Sequence, residues 1–164
     1  DVCGHHPPFT NSRITRPSSQ MQRRLLPHIQ RSRKASYWFA GHAHSYERFQ
    51  VEGKQYIVAG GGGAPRQRVR LATEGARFGD MYDGPALRPL HYLMLERRGR
   101  DLTCTMIPLD AAPSVVPRDI ATVTIGPQST DAAATTKATI RATNYPLLIT
   151  PRSPEPESVT APVK

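Results

Sequence analysis

This chain is predicted to be α/β, on three observations. A short apolar run, Tyr37 to Ala40, stops at Gly41, as a buried strand does where it enters a loop. A strand stub, Val2 to Gly4, stops at His5-His6-Pro7-Pro8, because consecutive prolines cannot continue a central strand. Between the two, Ser18 to about Arg33 carries apolar residues at helical spacing. Strand, helix and strand make a β-α-β unit, which sets its strands parallel and brings the loops after them to one sheet edge.

The elements follow in order. The helix is expected to start at Ser18 or Ser19 as N-cap and to bury a stripe of Met21, Leu25, Leu26 and Ile29, with a break or kink at Pro27. Gln55 to Ala59 has the β-branched and aromatic content of a strand and runs into Gly60 to Gly63. Those glycines lack the spacing and the following helix of a phosphate-cradling loop, so they read as backbone packed close to something. Residues 66–89 read as a long surface loop near the rim of a site. Leu90 to Glu96 and Leu102 to Leu109 form a hairpin with its turn at Arg98 to Asp101, and Val115 to Ile125 supplies a last strand weakened at its start by Pro117. From about Pro127 the composition turns to Thr, Ala, Ser and Pro; the expected division is a folded part over 1–126 and a disordered tail over 127–164.

Composition narrows the function classes. Lysine and arginine number 22 against 13 acidic residues, a formal charge of +9 that favours an anionic partner. The basic residues from Arg13 to Lys34 have no aromatic interleaving and no nucleic-acid motif, and they read as a solvated helix face. No apolar run reaches the ~20 residues of a membrane span. Cys3 and Cys104 are too few for a disulfide framework, and Cys3 reads as a small core residue beside the histidine loop.

The histidines carry the chemistry. At a strand end the pleat is expected to point His42 and His44 to one side, with Ala43 between them. The β-α-β unit brings His5 to the same carboxyl edge, where open α/β sheets bind ligands. Converging neutral imidazoles are part of a transition-metal site. The alternative is an ordinary surface loop with histidines in it. His28, among arginines, and His91, at a strand start, read as structural or exposed.

Three ordered blocks carry a family resemblance: Val2-Cys-Gly-His5 with His6-Pro7-Pro8; Gly41-His42-Ala43-His44 with Tyr46-Glu47-Arg48; and Tyr56-Ile-Val-Ala-Gly60 to Gly63. They resemble the last two blocks of the calcineurin-like metallophosphoesterases, in particular the purple-acid-phosphatase-like branch. The resemblance spans about residues 1–110. It implies a four-layer α/β/β/α sandwich with two metal ions, iron paired with zinc, manganese or iron, that activate a water for in-line attack on a phosphate monoester. It also implies that His5 and His42 bind the second metal and His44 the first, and it allows a secreted or lysosome-like compartment. His6 either faces the substrate phosphate or packs beneath Pro7. Tyr46 and Arg48 either anchor the loop or reach an anionic substrate.

The upstream family blocks, Asp-x-Gly, Gly-Asp-x-x-Tyr and Gly-Asn-His, are absent from the sequence. Asp80 and Asp83 do not replace them. The expectation is the C-terminal half of such an enzyme, catalytically incomplete alone and dependent on the missing N-terminal half, with one sheet edge and one apolar face uncovered. The rival reading is a metal- or anion-binding module, or an interaction module, with no catalysis.

Overall fold

The computed structural model describes residues 1–109 and 119–124. It contains two sheets. The first is built from β1 (Val2–Gly4), β2 (Tyr37–Ala40), β3 (Tyr46–Val51) and β4 (Lys54–Ala59) in the order β1-β2-β4-β3. β1 pairs parallel with β2, β2 pairs parallel with β4, and β3 returns antiparallel on β4. The second is the antiparallel meander β5 (His91–Arg98), β6 (Asp101–Pro108) and β7 (Asp119–Thr124). The last strand expected over Val115 to Ile125 is thus present in its described part, and the tail predicted from residue 127 lies outside the described residues.

Strand alternation sorts the first sheet's side chains onto two cores. Tyr37, Tyr46 and Ile57 point toward Leu102, Cys104, Met106 and Ala121 of the second sheet. Trp38, Ala40, Phe49, Tyr56 and Val58 point the opposite way, toward Phe9, Leu26 and the half-buried Met21 and Ile29. The layers are therefore helix, sheet and sheet. Three of the four layers expected from the sequence are present among the described residues. On the second sheet's outer face, Tyr92 (49 % exposed), Met94 (40 %) and Ile120 (60 %) are open to solvent.

The helical segment answers to Pro27. A wide turn over Met21–Leu25 with hydrogen bonds to the fifth residue precedes α1, which spans Leu26–Arg31 with the proline in its first turn. There the missing proline N–H costs nothing, and the turn before it absorbs the slip in register. The backbone N–H of Met21 donates to the Ser18 hydroxyl at 3.3 Å, as the N-cap reading required. The wider turn also rotates Leu25 out of the expected stripe, and it is exposed, while Leu26 is buried.

The structure departs from the sequence at three other points. Tyr46–Val51 was not foreseen as a strand. It pairs along its whole length with β4 through a two-residue turn in which Glu52 (φ 50°) and Gly53 (φ 73°) are both left-handed, the geometry that joins tightly twisted strands. Residues 66–89 are not only a surface loop, because they bury Val69, Tyr82 and Arg88. Asn11 holds this segment, accepting through Oδ1 from the N–H groups of Arg77 (2.8 Å) and Phe78 (2.9 Å) and donating through Nδ2 to the Phe78 carbonyl. Cys3 also departs from its reading as a core residue: it is exposed, since β1 is an edge strand. Among the described residues no helix is long and apolar enough to cross a membrane.

Candidate metal centre

Parallel pairing of β1 with β2 puts Gly4 opposite Ala40, so the chain leaves both strands at the same level. The Gly41 N–H donates to the His5 carbonyl at 3.1 Å and locks the two exits together. His5 and His42 follow, and their rings meet: His5 Nε2 lies 3.0 Å from His42 Nδ1. The meeting of His5 and His42 predicted from the β-α-β unit is therefore present.

The rest of the cluster differs from the pleat argument. β2 ends at Ala40, and His42 adopts φ 63°, the left-handed region that a non-glycine residue enters at a cost of roughly 1–2 kcal/mol. Pleat alternation no longer holds past that point, and His44 is not in the cluster that His42 joins. The third ring beside His5 and His42 is His6, with centroids 4.8 Å from His5 and 4.5 Å from His42. One nitrogen from each of His5, His6 and His42 lies within 4.8 Å of the others. His44 instead places Nδ1 3.0 Å from the Pro65 carbonyl. A carbonyl oxygen only accepts, so Nδ1 carries the proton and Nε2 keeps its lone pair, the arrangement found in metal-ligating histidines.

Withdrawal from solvent, followed by the neighbouring charges of His6, His5 and His44, lowers the pKa of the His42 ring. The crowding of imidazoles thus favours the neutral, ligating form.

Three residues past His44 stands a carboxylate, Glu47, to which the sequence alone assigns no role. Glu47 is fully buried and accepts from the Thr10 hydroxyl (2.6 Å), the Asn11 N–H (2.6 Å) and the Ser45 hydroxyl (3.1 Å). It therefore joins the segment after His5-His6 to the segment after His42-Ala-His44. Burial, and next the charge of Asp80, push its pKa up to about 7 against the pull of those hydrogen bonds. The buried run Thr10-Asn11-Ser12 reads in sequence as a polar loop, so the only signal for this clamp was the acid inside an aromatic strand, Tyr46-Glu47.

Gly60 explains part of the glycine run. A Cβ there would lie 2.0 Å from the Ala43 carbonyl oxygen, so the histidine loop rests directly on its backbone. The Gly60 N–H donates to the Ser45 carbonyl at 3.0 Å. Gly61 is packed against the His91 ring, whereas Gly62 and Gly63 face open space. Close packing therefore holds for two of the four.

Arg48 takes the anchoring role of its two readings. Its guanidinium holds Asp119 through Nε (2.6 Å) and Nη2 (2.8 Å), tying β3 to β7, and its backbone N–H donates to Asp80. Tyr46 donates its hydroxyl to the same Asp119 carboxylate at 2.8 Å. Asp80 is likewise committed, accepting from Arg88 Nη2 at 2.7 Å. His28 is exposed on α1, and His91 is buried with Nδ1 3.0 Å from the Pro89 carbonyl.

The donor set can be tested against an ion. Two nitrogens about 2.0–2.1 Å from one tetrahedral zinc lie about 3.3 Å apart, close to the His5–His42 separation of 3.0 Å. The fit is to one ion. Among the described residues no carboxylate joins the histidine cluster, so the bridging oxygen ligand that a pair of ions requires is not in it.

No protein-family pattern and no curated protein sequence matches this chain. Among solved structures, it is similar to a single mutant of Vps29 from Entamoeba histolytica, with 19 % identity, a TM-score of 0.33, 62 % of this chain covered and 47 % of that one. The chain thus spans about half the length of the Vps29 chain it matches.

Proposed function

We propose that this chain carries the histidine-bearing half of a metal-dependent phosphoesterase centre acting on phosphate monoesters. The observation that carries the reading is the 3.0 Å approach of His5 Nε2 to His42 Nδ1 at the carboxyl ends of neighbouring parallel strands. His5 and His42 would hold one ion, and His44, oriented by its Nδ1–H on Pro65, would offer Nε2 to a second. Iron with zinc, manganese or iron is the ion pair that the motif resemblance implies. Such ions supply a polarised phosphoryl oxygen and a water of lowered pKa. The chain's own part is to orient the imidazoles: Gly60 seats the histidine loop, and Glu47 joins it to the segment following His6. The net charge of +9 favours arrival of an anionic ester.

Among the described residues no carboxylate joins the histidine cluster, which favours a second reading for the chain by itself, a metal-binding module without turnover. p-Nitrophenyl phosphate hydrolysis separates the two. The chain is assayed with zinc, iron or manganese, alone and mixed with a polypeptide bearing the Asp-x-Gly, Gly-Asp-x-x-Tyr and Gly-Asn-His blocks. Turnover only in the mixture, abolished by His42→Ala, is expected. Turnover that survives loss of His42 would sink the metal mechanism, and no turnover in any mixture leaves the binding module in possession.

A further inference from the structure

We infer that His5, His6 and His42 together form a three-nitrogen site for a single transition-metal ion, encoded entirely within this chain, with His6 as a ligand and His44 outside it. The inference deepens the phosphoesterase reading and rests on it for the use of the ion, but not for binding itself.

The three rings come from two loops tied to each other through the Gly41 N–H and the His5 carbonyl, so the site does not depend on a distant element closing over it. The rings do not stack. Their planes are inclined at 88° (His5 to His6), 63° (His5 to His42) and 56° (His6 to His42), edge-to-face for the first two pairs and tilted for the third. One nitrogen of each lies within 4.8 Å of the others, against the roughly 3.3 Å that a shared tetrahedral ion needs. All three side chains are exposed, so rotation about their own χ angles is the movement that closing this gap asks for. The His5–His42 contact is a proton shared between two ring nitrogens, and an ion of charge two would replace it.

The ligand chemistry chooses the ion. Three imidazoles, joined by no carboxylate among the described residues, suit zinc, cobalt, nickel or copper and offer nothing to magnesium or calcium, which require oxygen. Three protein nitrogens also leave one coordination position open, as catalytic zinc sites do. His44 has its Nδ1 on Pro65, half-buried on the other side of Ala43, and is not among the three.

The test is titration of the chelator-treated chain with cobalt(II), read by the visible bands of nitrogen-ligated cobalt, and with zinc, read by the ring-proton resonances of the six histidines. One equivalent is expected to bind and to shift the resonances of His5, His6 and His42 but not those of His28, His44 or His91. His6→Ala should weaken binding by about 100-fold or more, exceeding the 10–100-fold typical of losing an outer-shell partner. His28→Ala, exposed on α1 and away from the cluster, should leave it within about 3-fold, a margin close to the ordinary spread of such measurements. The rings are exposed, so circular dichroism should show each variant folded like the parent.

Binding by His6→Ala equal to the parent's overturns the inference, as does an equal loss in His44→Ala. The two readings fail separately. Cobalt bound by the three histidines without turnover in any mixture leaves this site standing and removes the phosphoesterase. Turnover in the mixture with unchanged affinity in His6→Ala does the reverse.

Discussion

Arg48 and Asp119 face each other across the two sheets in a two-point ion pair, Nε to Oδ2 at 2.6 Å and Nη2 to Oδ1 at 2.8 Å, with the Tyr46 hydroxyl completing the carboxylate's shell. Both side chains are about nine-tenths withdrawn from water. The value of such a pair appears when one partner is removed, because the other is left charged and buried. Asp119→Ala is therefore expected to cost about 3–5 kcal/mol in urea unfolding. Arg48→Ala should act mainly on stability too. A fall in kcat/KM with an unchanged melting temperature would return Arg48 to the substrate.

Glu47 predicts a pH dependence. Its folded pKa is raised from 4.5 to about 7, so between those values the folded chain holds a proton that the unfolded chain has released. Stability contributed by this group is present below about 4.5 and is lost as pH rises through about 7, by an amount on the order of 3 kcal/mol. His42 works in the opposite direction, because its lowered pKa makes the folded state poorer in protons near and below its ordinary 6.5. The difference between parent and Glu47→Gln isolates the carboxyl. Denaturation at a series of pH values should show the parent losing stability relative to Glu47→Gln as pH rises from 4.5 to 7. A flat difference would show that the three hydrogen bonds keep the acid ionised throughout.

Gly60 and Gly62 make a matched pair. An alanine Cβ at Gly60 would meet the Ala43 carbonyl carbon and oxygen, both backbone atoms, whereas at Gly62 nothing lies within 4 Å. Gly60→Ala should cost about 1–3 kcal/mol, as overpacking does, and should displace the histidine loop. Gly62→Ala should be near neutral. Thermal melts with the His42 and His44 ring resonances as reporters check both, and an unchanged Gly60→Ala would remove the glycine from its supporting role.

The outer face of the second sheet predicts self-association. Met94 pairs with Thr105 and Thr105 with Ile120, so Met94 and Ile120 lie in one row across the three strands, with Tyr92 two residues along from Met94. Open apolar sheet surface of this kind binds hydrophobic dyes and drives aggregation. Ile120→Lys with Tyr92→Lys should lower dye fluorescence several-fold and shift sedimentation toward monomer. A parent that is already monodisperse and dye-silent at high concentration would contradict the expectation of an uncovered face.

Periodicity, proline and glycine were enough to place β1, β2, β4, the hairpin and the helix, and with them the arrival of His5 and His42 at one parallel edge, because these depend on local spacing and on the topology of a β-α-β unit. The directions of side chains beyond the strand ends were not contained in that spacing. A left-handed backbone at His42 broke the pleat argument, and His6, from the loop after β1, is the third member of the cluster in place of His44. The wide turn ahead of Pro27 moved Leu25 into solvent. Arg48 found Asp119 some 71 residues away, and Glu47 found Thr10 and Asn11 at 37 and 36. Partners at such separations are chosen by packing of whole layers. A charged residue reads alike in sequence whether it faces a substrate or another sheet, and burial and long-range hydrogen bonding, which only the folded chain possesses, decided between them.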